Sequence, residues 1–158
     1  MMVKSGNYLT GLLVHPKPED NPLALGESRM QKNHAWLQPA LIKGMSDIDL
    51  ARRFSQYYLS GGGRQTIVQI YRDRIIKNVS RLRLTLLHLL DERLPIENRI
   101  NDVLKGSHRI EGFGKAIATS VLMDYDVSKY CLWNNKTESG FIAMGRKVHQ
   151  RGDSEGKA

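Results

Sequence analysis

From Ser46 to Leu122 apolar residues recur every three or four positions, and this spacing constrains the chain to helices more than any other feature does. Leu50, Phe54, Tyr57 and Tyr58 open the pattern. Ser46 and Asp49 precede it as a capping box, and Asp47 and Asp49 suit the positive end of a helix. Gly61-Gly62-Gly63 stops that helix. Ile67, Tyr71, Ile75, Val79, Leu82, Leu86 and Leu89 then predict one long helix over 64–90. Pro95 suits the first turn of a shorter helix with Ile96, Ile100 and Leu104 inward, and Gly106 ends it. Another helix starts near Gly114 and buries Ile117, Ala118, Val121 and Leu122; a last one runs from 136 to about 148. The expected fold class is all-α, a multi-helix bundle.

The first quarter reads differently. Pro16, Pro18, Pro22 and Pro39 are four of the five prolines, and each fixes φ and lacks an amide donor. Residues 1–45 are therefore expected to be an irregular N-terminal arm, with a short strand or a packed arm over 8–15 and a turn or two of helix over 34–43, interrupted at Pro39. Residues 46–149 make the helical domain and 150–158 a flexible tail. A length of 158 residues suits one such domain. The single cysteine, Cys131, excludes an internal disulfide framework and a cysteine-based zinc site. His15, His34, His88, His108 and His149 never fall at zinc-ligand spacing, so no metal and no cofactor is expected. No apolar run approaches the ~20 residues that span a bilayer. The first residues make a poor secretory signal, since their apolar stretch breaks at His15 and Pro16. The expected location is cytoplasmic, with no membrane partner.

A formal net charge of +8 points to an anionic partner. Residues 46–95 carry nine basic and five acidic groups, whereas 96–135 carry five of each. Arg74, Lys77 and Arg81 align along the expected long helix beside its apolar stripe, with Arg72 and Arg83 on the other side. Such a row tracks nucleic-acid phosphates, or forms a solvated face with local pairs such as Asp73–Lys77. Gly61-Gly62-Gly63-Arg64-Gln65-Thr66 lacks the Lys-Ser/Thr ending of a phosphate loop and reads as a hinge.

The segment Ile110-Glu111-Gly112-Phe113-Gly114-Lys115-Ala116-Ile117-Ala118 carries the functional signal. Two glycines flank one aromatic residue between short helices. The turn needs glycine where the backbone leaves ordinary φ/ψ space, and Phe113 plugs the gap between the helices. Amides at the start of the next helix, around Gly114, Lys115 and Ala116, then form an anion site. Lys115 is placed to add a charge-assisted contact to a phosphate, and His108 and Arg109 stand just before the turn.

This segment resembles a helix-hairpin-helix motif, a sequence-independent grip on the DNA backbone found in many repair proteins. The resemblance makes 96–105 the first helix, Gly112-Phe113-Gly114 the hairpin and 115–123 the second helix. It extends to the helix-hairpin-helix superfamily of base-excision DNA glycosylases, whose catalytic lysine and aspartate positions fall here on Ala116 and Asn134. An alanine supplies no Schiff-base amine, and an amide does not replace a carboxylate for charge stabilisation. The stretch Lys129-Tyr130-Cys131-Leu132-Trp133-Asn134-Asn135-Lys136-Thr137, taken with the hairpin, is similar to a domain of prokaryotic restriction and defence proteins. There it accompanies nuclease or ATPase modules, which implies a larger nuclease or ATPase assembly as a partner. The bare residues also allow Tyr130, Leu132 and Trp133 to pack the second helix while Asn134 or Asn135 caps the last one.

The expectation is a non-catalytic module binding duplex or structured DNA. Gly112, Phe113, Gly114, Lys115 and Ala116 form its grip, Arg109, Arg74, Lys77 and Arg81 its secondary contacts. The alternatives are a divergent glycosylase-like enzyme using Lys115 or an aspartate elsewhere, such as Asp124 or Asp126, and a helical protein-interaction module.

Overall fold

A computed structural model describes residues 22–59 and 69–146. The expectations for residues 1–21, for the hinge at Gly61-Gly62-Gly63 and for the tail from 150 lie outside the described residues. Among the described residues there are eight helices and no strand, so the chain is all-α. They are α1 (Pro22–Trp36), α2 (Pro39–Gly44), α3 (Asp47–Leu59), α4 (Gln69–Ile76), α5 (Val79–Leu89), α6 (Ile96–Leu104), α7 (Lys115–Tyr125) and α8 (Asn135–Ala143).

Helix α5 is the hub and packs against α2, α3, α4 and α6, while α7 lies across α1 and α6. Leu82, Thr85, Leu86 and Leu89 are the inward face of α5. They meet Leu50, Phe54, Tyr57 and Tyr58 of α3, the residues the periodicity selected. The capping box forms as expected: the Asp49 amide donates to Ser46 Oγ at 3.1 Å, and that hydroxyl donates to the Asp49 carboxylate at 2.7 Å. Helix α7 buries every residue from Ile117 to Leu122, and Asp124 as well. A helix apolar nearly all round belongs inside a fold rather than on its surface.

Two expectations are corrected. Residues 22–44 are not an irregular arm but form α1 and α2, and Trp36, Leu37 and Ile42 sit in the common core. Pro22 and Pro39 open their helices, where the missing amide proton has no intrahelical partner to lose. Helix α1 is tied to the end of α7 by a buried hydrogen bond from Asn33 to Asp124 at 2.9 Å. His34 adds a 2.7 Å bond between Nδ1 and the carbonyl of Tyr125, satisfying a group that the helix end leaves open.

The single helix over 64–90 is also not found. Its described part divides into α4 and α5 at Lys77-Asn78. The Asn78 carboxamide accepts from the Arg81 amide at 2.9 Å and caps α5. An apolar repeat survives such a break because both halves bury the same face; the cap residue is what divides them. Arg83 clamps the turn between α2 and α3, donating to the carbonyls of Ile42 and Met45 and to the Asp47 carboxylate. Its charge thus sits at the C-terminal end of α2, where a cation is favoured.

Candidate nucleic-acid interface

Helices α6 and α7 enclose the glycine turn. Gly112 has a φ of +90°, the left-handed region that glycine tolerates and other residues resist. A Cβ at this position would stand 3.1 Å from the Cβ and Cδ1 of Tyr71 and 3.3 Å from its carbonyl oxygen. The turn therefore requires glycine for its dihedral and again for its close approach to α4. Phe113 is 2% exposed and stacks on Phe54, with ring centroids 6.0 Å apart. Its stacking partner belongs to α3, so the ring ties the turn to that helix.

Gly114 is different. It caps α7 in extended conformation, with no side chain bonded to the helix end, and a Cβ there would meet nothing within 4 Å. The amides of Ile117 and Ala118 both bond to the Gly114 carbonyl at 3.0 Å. Among the described residues no acceptor meets the amides of Gly114, Lys115 or Ala116. They open beside a groove of about 470 Å³ whose walls include Tyr71, Leu104, Arg109, Glu111 and Gly114.

The expected cations gather around this turn, but most are engaged within the protein. Arg74 pairs with Glu111, the carboxylate nearest the turn, and its guanidinium lies 5.7 Å from the Tyr71 ring centroid. Arg81 donates to the carbonyl of Ser107. Thr85 donates to the carbonyl of His108 at 2.8 Å, so α5 holds the approach to the hairpin at two points. Lys115 pairs with Glu138 in the first turn of α8. Its ammonium also stands 5.9 Å from the Trp133 ring centroid. Among the described residues Arg109 and Lys77 make no ion pair; Asp73, the expected partner of Lys77, binds Arg72 instead.

The Tyr-Trp-Asn segment is held from several sides. Thr119 Oγ1 accepts from the Trp133 amide at 2.9 Å, and Asn134 caps α8 by accepting from the Thr137 amide at 3.0 Å. The Trp133 indole donates to Glu138 at 2.6 Å and stacks on Phe141 at 5.3 Å. Lys115 first, and then the indole, hold the Glu138 carboxyl below its usual range. Tyr130 packs over the buried Arg99, whose guanidinium also donates to the Leu89 carbonyl at 2.9 Å.

The residues of the enzyme alternative are not brought together. Ala116 is at the start of α7 and Asn134 serves as a cap. Lys115 and Asp124 are nine residues apart on one helix, about 14 Å along its axis. Asp124 is buried and bonded to Asn33, and Asp126 accepts from the Ser128 amide and hydroxyl. A second groove, of about 460 Å³, lies between α1 and the end of α7, and Lys129 in its wall pairs with both Glu92 and Asp126.

One cluster escaped the sequence. His88 and His108 fall at no ligand spacing in the sequence, yet their rings stack 4.0 Å apart at 6°, with Asp102 beside them. Burial, and then the neighbouring His88, hold the His108 imidazole below its ordinary pKa. The pair joins a helix to a loop, so no sequence spacing announces it. No protein-family model, no curated protein and no solved structure matches this chain.

Proposed function

We propose that the chain is a non-catalytic, largely sequence-independent DNA-binding module that holds the phosphate backbone at the 112–115 turn. Its setting on this reading is DNA repair, or restriction and defence within a larger nuclease or ATPase assembly. The observation that carries the reading is the uncapped start of α7, where Gly114, Lys115 and Ala116 offer amides with no described acceptor beside an exposed Arg109. Orphan donors and helix dipole act together on an anion there. Arg74 supports the site indirectly by cancelling Glu111, a charge that repels phosphate. Arg81 supports it by fixing the loop. Direct charged contact falls to Arg109, with Lys77 as an outer contact; Lys115 contributes its amide.

The test is fluorescence anisotropy with a labelled duplex across a salt series. Gly114→Asp installs a good N-cap, so the protein stays folded while a carboxylate fills the anion position. Binding should disappear in this variant. Arg109→Gln should weaken binding about equally for every sequence and lower the salt slope by about 0.9. A wild-type protein with no duplex affinity at low salt overturns the reading, as does a Gly114→Asp variant that binds like wild type.

A further inference from the structure

We propose that His88, Asp102 and His108 form a binding site for a zinc-class divalent transition-metal ion, which ties α5 and α6 to the loop before the glycine turn. One ligand atom from each residue already lies within 4.8 Å of the others. His88 Nε2 and Asp102 Oδ2 are 3.0 Å apart. Around an ion bound at about 2.0–2.1 Å, neighbouring tetrahedral ligands stand about 3.3 Å apart, so this edge of the site is nearly formed.

The decisive observation concerns His88 Nε2. It is enclosed and has no hydrogen-bond partner, although the carboxylate oxygen is so near. Closeness without alignment is what two ligands of a common ion show, since each aims at the ion and not at its neighbour. A structural His–Asp pair would instead align its N–H with the oxygen.

His108 supplies the third ligand from the loop. Its Nδ1 lies 3.1 Å from Ser107 Oγ. When Nδ1–H donates to that hydroxyl, the lone pair of Nε2 is left for the metal, the usual role of an outer hydrogen bond at a ligating histidine. Leaving the stack needs a rotation about χ2, a soft torsion for histidine. Two imidazoles with one carboxylate favour zinc, cobalt or nickel over magnesium or calcium. Three protein ligands leave a fourth position for water. The anchors of the loop, Thr85 on the His108 carbonyl and Arg81 on the Ser107 carbonyl, already hold these residues against α5. The ion would lock the same joint whether or not the turn binds DNA.

Isothermal titration of the full chain with ZnCl2, and visible absorption with CoCl2, test the site. One high-affinity equivalent should bind, raise the thermal midpoint and resist competition by MgCl2. Asp102→Asn and His108→Gln should each weaken binding by more than about 100-fold, beyond the loss expected for an outer-shell partner. Circular dichroism without metal confirms that each variant folds, and a misfolded one is replaced by His88→Gln. Absence of binding overturns the proposal. So does an equivalent that persists in the His88→Gln/Asp102→Asn/His108→Gln protein, which would place the ion elsewhere, or one that MgCl2 displaces readily.

Discussion

Gly112 and Gly114 belong to one motif, yet the structure assigns them opposite tolerances to a methyl group. In Gly112→Ala the new residue must hold a φ of +90°, which costs about 1–2 kcal/mol for a residue with a Cβ. The Cβ also stands 3.1 Å from two Tyr71 carbons, closer than the ~3.5–4.0 Å optimum for carbon pairs. Moving α4 or the hairpin to relieve this adds about 1–3 kcal/mol. Restricting the unfolded chain returns about 0.4–1 kcal/mol. The expected net loss is about 1–5 kcal/mol, with the thermal midpoint falling by about 2–4 °C for each kcal/mol in a chain of this size. Gly114→Ala meets nothing within 4 Å and has an ordinary φ of −87°. Its weaker N-cap, about 0.5 kcal/mol, is offset by the same unfolded-state effect. It should lie within about 0.5 kcal/mol of wild type. Urea denaturation followed by circular dichroism measures both. Equal losses in the two variants, or a Gly112→Ala protein as stable as wild type, would refute the account of the turn.

Two further outcomes follow from the same packing. Asn78→Ala removes the cap of α5 and should cost about 1 kcal/mol, measured by urea denaturation, because the Arg81 amide loses its acceptor. Glu138→Gln should destabilise the protein at neutral pH. Lys115 and Trp133 lower the carboxyl pKa in the folded state, so their stabilisation is present above the unfolded value of ~4.3 and is lost as pH falls through the lower folded value. The gap between wild type and variant, read by denaturation at several pH values, should therefore close in acid; a gap independent of pH would reject the ion pair as its source.

Local rules made much of the helical architecture legible. The Ser46 capping box, the Leu50–Phe54–Tyr57–Tyr58 face and the cap at Asn134 depend on residues three or four apart, and all three stand in the structure. The same rules erred at Pro22, which opens a helix instead of breaking one, because a proline that ends one element and a proline that begins another look alike until neighbours are placed. They erred again at Asn78, where an unbroken apolar repeat concealed a cap. The glycine turn was visible because its strain demands a residue type.

The sequence by itself determined that the chain is helical, where the glycine hairpin falls, and which residues face inward along most helices. Tertiary structure decided which charges are spent inside the fold. Arg74 meets Glu111 across 37 positions and Lys115 meets Glu138 across 23, so a basic row that looked free to meet phosphate is largely engaged. It also decided that α1 joins the core and that His88 meets His108 beside Asp102. Periodicity is set by covalent geometry within a turn of helix, and a sequence records it directly. Pairing between distant side chains depends on how whole helices dock, which no local spacing encodes.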